Sequence, residues 1–261
     1  MKTQTDPVYR LACLELHGGN HLAVYPAELP GLAAWISCRP LRPAASGGDL
    51  YYLSACSQGV IGRVVLADVA GHGEAISAAA LRLQAALRKH VDQWDQSLLI
   101  RQLNDTFLDT AEDSRYATAF LASYCSTSGE LLFTNAGHLP PLWYRSARAE
   151  WSWLHDFTLL STSVADLPLG LIAGTDYSQM AVQLDPGDLL VLYTDGISES
   201  RDKSGEELGL DRLLSIARSL PTESSTAAGE ALITAIESFR GPVPPADDET
   251  VVALQRLPVP A

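Results

Sequence analysis

The chain is poor in the features that mark several common functions. It has four cysteines, Cys13, Cys38, Cys56 and Cys125, but no Cys-x-x-Cys pair. That spacing excludes the signature of a zinc ribbon or a thioredoxin-like site, and free thiols in a reducing compartment are the expectation. Residues 1–7 lack the apolar centre of a secretory leader. No apolar run is long enough to span a membrane. Positive charge is scarce too: 18 Lys and Arg stand against 31 Asp and Glu, a net charge of −13. No nucleic acid and no anionic membrane is expected as a partner, because each calls for a basic face. These absences together predict a cytoplasmic protein.

What is present is an ordinary core-forming composition. The 261 residues are 47% hydrophobic and 19% charged, enough for one or two domains. Residues 1–43 read as a mixed lead-in punctuated by Pro26, Pro30, Pro40 and Pro43. Strands are predicted over 32–38, 49–53 and 62–67, the last two at hairpin spacing. Helices follow over 74–91 and 96–111. There Ile76, Leu83 and Leu87, and then Leu99, Leu103 and Phe107, recur on one face. Strands return over 117–125, 130–135, 140–144, 180–184 and 188–193, the last two flanking the turn Asp185-Pro186-Gly187. Helices over 208–219 and 225–239 precede a final strand over 251–254. Strand runs separated by helix pairs predict a single α+β domain with helices laid over antiparallel sheets.

Four acidic motifs stand out: Gly47-Gly48-Asp49, Asp68-Val69-Ala70-Gly71-His72-Gly73, Thr194-Asp195-Gly196 and Asp247-Asp248-Glu249-Thr250. Each has a plain structural explanation taken alone: a hairpin lead-in, a capped strand-to-helix turn, an Asp-Gly turn, and charge blunting a sheet edge. Four of them at strand ends in both halves of the chain suggest that the fold gathers the carboxylates. Two carboxylates about 4 Å apart repel by about 4 kcal/mol at an effective dielectric near 20. A hard divalent cation with oxygen ligands removes that repulsion. The glycines beside the acids let the backbone approach an ion or a phosphate closely.

With Asn135-Ala136-Gly137-His138 and Pro168-Leu169-Gly170 between them, these motifs come in a family order. They resemble the SpoIIE-like branch of the metal-dependent PPM serine/threonine protein phosphatases. The resemblance runs from Gly47 to Leu254 and implies a four-layer αββα sandwich, two antiparallel sheets flanked by helices. It divides the chain into a lead-in over 1–45, packed on the domain, and a phosphatase domain over 46–257. It implies two Mn²⁺ or Mg²⁺ ions in a cleft at one end of the sheets. Asp68 would bridge them with the Val69 carbonyl as a further ligand; Asp49 would bind one ion, and Asp195 and Asp247 the other. Asp68 and Asp195 would act catalytically through a metal-activated water. Asp248, Gly71, His72, Asn135 and His138 would support the site from behind.

Three departures from the family pattern bear on mechanism. Ala70 stands where this branch usually has Ser and where other PPM phosphatases have a His general acid. Tyr51 and Tyr52 stand where a further acid often follows Gly-Gly-Asp. The phosphate-clamping arginine of other PPM enzymes has no clear counterpart, although Arg39 and Arg42 lie near the right stretch. Trp151 and Trp153 read as packing, and residues 159–166 as a loop able to form a flap.

The resemblance also implies a phosphorylated protein substrate, a STAS-type anti-sigma-factor antagonist of bacterial partner-switching. The lead-in is too short for a usual sensor domain. Regulation is therefore expected from a separate partner, or from a homodimer formed through the two helices after Asp68. The alternative is a pseudo-phosphatase, a binding module that keeps the fold without turnover. Ala70 and the missing arginine favour it; the four retained aspartates weigh against it.

Overall fold

A computed structural model of the chain describes residues 8–11, 16–56, 59–71, 74–90, 93, 95–110, 115–154 and 166–258. Two sheets carry the fold. The first runs in the order β1 (Tyr9–Arg10), β3 (Ala23–Leu29), β4 (Leu32–Arg39), β13 (Glu249–Arg256), β12 (Leu189–Tyr193), β9 (Leu142–Arg145) and β10 (Glu150–Trp153). The second runs β11 (Met180–Gln183), β8 (Glu130–Ala136), β7 (Ala117–Cys125), β6 (Ile61–Val69), β5 (Ser46–Cys56) and β2 (Leu16–His21). Apart from the short parallel contact of β1 with β3, these strands pair antiparallel. Helices α1 (Glu74–Lys89) and α2 (Gln96–Thr110) cover the second sheet. Helices α4 (Gly209–Ala217) and α5 (Ser225–Arg240) cover the first, and α3 (Asp195–Ser198) is one turn directly after β12. The four layers are those expected.

Strand periodicity explains why both sheets are covered on both faces. In β6, Val64 and Leu66 point into the space between the sheets, while Val65, Ala67 and Val69 point toward α1 and α2. In β13, Val252 and Leu254 point inward, and Val251 and Ala253 toward α5. Such strands read as continuous apolar runs rather than as alternation. Each fully buried Leu or Phe of the central layer, such as Leu53, Leu66 and Phe120, contributes roughly 1.5–3 kcal/mol of transfer free energy.

The structure extends the sequence reading in three places. Besides the expected β4, the residues before Gly47 supply β2 to one sheet and β1 and β3 to the other. Pro26 hid β3; β1 reaches only Ala27 and Glu28, so Pro26 needs no ladder bond on that side. Residues Ser46 to Asp49 already belong to β5, so Gly-Gly-Asp lies inside a strand rather than at its start. The Asp185-Pro186-Gly187 turn does not close a hairpin. Its two strands sit in different sheets, β11 beside β8 and β12 between β9 and β13, so the turn carries the chain across the sandwich. No described helix is long and apolar enough to cross a membrane.

Candidate active site

Asp49 and Asp68 face each other across the β5–β6 ladder. Both are in step with inward-facing apolar residues, Asp49 with Tyr51 and Leu53, Asp68 with Val64 and Leu66. The stripe that packs the core therefore ends in two carboxylates at one edge of the sandwich. The other sheet supplies Asp195, which opens α3, and Asp247 and Asp248, which lead into β13.

Asp68 is the hub of this charge. Burial, then the carboxylates of Asp195, Asp247, Asp248 and Glu199, push its carboxyl up to about 7. Burial, then Asp247 and Glu199, push Asp195 up to about 6 against the opposing Gly196 N–H. Asp49 is 2% exposed, and burial first and Asp68 second raise it well above the usual carboxylate range. The structure thus brings together Asp49, Asp68, Asp195 and Asp247, the four acids singled out as ligands. Among the described residues no three His, Cys, Asp or Glu side chains form a finished cation cage. The donor chemistry nonetheless fits hard divalent ions: buried or partly buried carboxylates that raise one another's pKa by mutual repulsion. The Val69 carbonyl stands in the same corner, against Gly48.

Asp248 has a different task. Its Oδ1 accepts the Leu41 N–H at 2.6 Å and its Oδ2 the Gly48 N–H at 2.6 Å, which ties the loop after β4 to the start of β5. Two motif glycines make room for it. A Cβ at Gly47 would lie 2.1 Å from the Asp248 carboxylate, and one at Gly196 would lie 2.0 Å from the Asp248 carbonyl oxygen. Gly-Gly-Asp and Thr-Asp-Gly are therefore both built around Asp248.

Sequence reasoning assigned no role to Thr194 or Thr250, although both belong to the motifs. The Thr194 hydroxyl donates to Asp49 Oδ2 at 2.7 Å and accepts the Thr250 N–H at 3.0 Å. All three residues are buried, and the contact joins one sheet to the other. Thr194→Val keeps the shape and removes both bonds. It is expected to cost about 1–3 kcal/mol of stability. It should also weaken Mn²⁺ binding by about 10–100-fold, the usual effect of losing a group that orients a ligand. Titration calorimetry with Mn²⁺ checks this; unchanged affinity would remove Thr194 from the site. Glu199 was missed as well. It lies one turn after Asp195 and adds its charge to both Asp68 and Asp195.

The remaining residues fall behind or outside the cluster. Asn135 and His138 close a turn on each other: the Asn135 side chain donates to the His138 carbonyl at 2.9 Å and accepts the His138 N–H at 2.7 Å. His138 Nδ1 pairs with the Thr118 hydroxyl at 2.8 Å, and Thr118 lies opposite Asp68 in the β6–β7 ladder. Burial lowers His138 to about 4, so its imidazole is neutral at physiological pH. Gly71 is exposed with a positive φ of 111°. His72 and the loop over 159–165 lie outside the described residues. Arg39 is held by Glu237 of α5 at 2.6 Å, while Arg42 is exposed on the loop tied to Asp248. Trp151 packs under α4 and α5 with Tyr144, its ring centroid 5.4 Å away.

A two-sheet sandwich flanked by helices, with acids from both sheets at one edge, is the architecture of the PP2C-type phosphatase domains. The chain belongs to the SpoIIE family: a family model described as Stage II sporulation protein E (SpoIIE) matches residues 62–257. It is 25% identical over 159 residues to the phosphoserine phosphatase RsbU of Bacillus subtilis (strain 168), covering 60% of this chain and 44% of that one. It is 24% identical over 157 residues to the phosphoserine phosphatase RsbP of the same organism, covering 58% of this chain and 36% of that one. It thus spans less than half the length of these relatives. The RsbU and RsbW domains of a Mycobacterium tuberculosis protein superpose with a TM-score of 0.74 at 26% identity, over 92% of this chain and 64% of that one. The SiaA-PP2C domain of Pseudomonas aeruginosa gives 0.71 at 19% identity over 85% of each.

Proposed function

We propose that the chain is a metal-dependent protein phosphatase that hydrolyses phosphoserine or phosphothreonine on a partner protein. The convergence of Asp49, Asp68, Asp195 and Asp247 from both sheets, with Asp49 in the field of Asp68 and Asp68 in the fields of Asp195 and Asp247, carries this reading. These side chains and the Val69 carbonyl would hold two Mn²⁺ or Mg²⁺ ions, which supply a water acidified to near neutral pH. The protein's own contribution is positioning. Asp248 fixes the loop after β4 against β5, Thr194 fixes Asp49, and the His138 turn backs Thr118 beside Asp68. Ala70 offers no proton, and His138 is neutral and engaged with Thr118, so neither position protonates the leaving serine oxygen.

The phosphoserine phosphatase activity of RsbU and RsbP supports a phosphoserine protein as substrate, and a STAS-type antagonist is the substrate class proposed. A homodimer is proposed through α1 and α2, which expose Leu81 and Leu98; light scattering on the purified chain tests it. For the activity, phosphate release from a phosphoserine STAS-type protein is measured with Mn²⁺ and with chelator. Release that requires Mn²⁺ is the expected result. Stable binding of that protein without turnover in any divalent ion would instead identify a pseudo-phosphatase.

A further inference from the structure

A cavity of about 440 Å³ opens beside the acidic cluster on the α5 side of the first sheet. Leu22, Pro40, Leu41, Arg42, Pro244 and Pro245 line it. Its other lining charges cancel within the wall: Arg39 pairs with Glu237, and Arg240 with Glu249. The Arg240–Glu249 pair is almost fully buried, at 8% and 5% side-chain exposure, so it is not free to receive an anion. What the cavity offers is apolar surface from Leu22, Leu41 and three prolines. Arg42 is the exposed lining cation, without an ion pair among the described residues.

The cavity is tied to the acidic cluster through Asp248. Glu249 lines it and is the next residue after Asp248, while Asp248 Oδ1 holds the N–H of Leu41, which also lines it. A peptide whose phosphorylated residue lies at the acids passes this cavity within a few residues, at roughly 3.3 Å per extended residue. The volume lies within the range of clefts that bury a ligand, and pockets of this kind take the apolar anchors that dominate an interface.

We propose that this cavity receives an apolar side chain of the phosphoprotein substrate, a few residues from the phosphorylated one. The proposal rests on the phosphatase reading and adds a substrate preference to it. Sequence near the phosphate is then read by an aliphatic anchor, with Arg42 at the mouth.

The test uses the full chain with Mn²⁺ and three probes. One phosphoserine peptide carries leucines two and three residues to each side of the phosphoserine. A second carries serine and glycine there. The third probe, p-nitrophenyl phosphate, is too small to reach the cavity from the acids. Pro244→Trp and Leu22→Trp add bulk to the cavity lining, at residues outside the acidic cluster. Wild type is expected to prefer the leucine peptide by about tenfold or more in kcat/KM, mostly through KM, the discrimination an apolar pocket can supply. Both variants should erase that preference and leave p-nitrophenyl phosphate hydrolysis unchanged. Equal use of the two peptides by wild type overturns the proposal. So does a loss shared equally by p-nitrophenyl phosphate, which places the effect in the acidic cluster. A change of oligomeric state with unchanged peptide preference assigns the cavity to a second copy of the chain and also overturns it. Failure of wild type to hydrolyse either peptide, with Mn²⁺-dependent release from the phosphoserine STAS-type protein retained, overturns this proposal alone. Failure on that protein as well rejects the phosphatase reading, and this proposal with it.

Discussion

Asp68→Asn is expected to lower Mn²⁺-dependent hydrolysis by about 10³-fold or more, and at the same time to stabilise the metal-free protein at pH 8. The first effect follows from the place of Asp68 between the other acids. Losing a group that merely orients a metal ligand costs about 10–100-fold, and losing the acid at the centre of the cluster should exceed that. The second effect follows from its raised carboxyl. In the folded protein Asp68 titrates near 7, because of burial and then the charges of Asp195, Asp247, Asp248 and Glu199. In the unfolded chain an Asp titrates near 3.9.

Between those values the folded state binds the extra proton. Asp68 therefore favours folding fully below about pH 4, and that contribution is lost as pH rises through about 7. At pH 8 the metal-free fold carries the whole cost of an ionised Asp68. A neutral Asn of the same shape removes much of it, roughly 2–4 kcal/mol at about 1.4 kcal/mol per pKa unit. Thermal melts in chelator at pH 5.5 and pH 8 check this. Wild type should melt at the lower temperature at pH 8. The variant's advantage should be larger there than at pH 5.5, and Mn²⁺ should raise the melting temperature of wild type far more than that of the variant. A variant less stable than wild type at pH 8 in chelator would show that Asp68 is not under repulsion.

Arg240→Ala should destabilise the fold by roughly 3–5 kcal/mol, the cost of leaving a buried partner charge without its counter-ion. Arg240 ends α5 and Glu249 begins β13, and both are almost fully buried. The consequence reaches the site, because Glu249 follows Asp248, whose carboxylate fixes Leu41 and Gly48. Arg240→Ala should therefore weaken Mn²⁺ binding as well as lower the melting temperature. Replacing both partners together, Arg240→Met with Glu249→Leu, should restore most of the stability, since an apolar pair of similar volume has no charge to strand. Urea denaturation of the single and double variants separates the two cases. A single variant within about 1 kcal/mol of wild type would place this pair with the surface ion pairs, such as Arg39–Glu237 at 33% and 51% side-chain exposure.

Much of the molecule was legible in the chain itself. Ile76, Leu83 and Leu87 announce α1, and the apolar run Leu189 to Tyr193 announces β12, because burial of one stripe or two faces is a local pattern. The four acidic motifs stand out from residue type and position, since carboxylates that meet demand a cation, and the resemblance to the SpoIIE-like phosphatases picks Asp49, Asp68, Asp195 and Asp247 among them. That they do meet was for the tertiary structure to decide. Nothing local says that Asp49 lies opposite Asp68, that β11 and β12 part to different sheets, or that Thr194 reaches across to Asp49. Nor does the spacing of Asp247 and Asp248 reveal that both add their charge at Asp68 while Asp248 also ties down two backbone N–H groups. Those outcomes depend on strand register and on how two sheets stack. Register and stacking follow from burying both faces of each sheet at once, a condition that involves residues far apart in the chain.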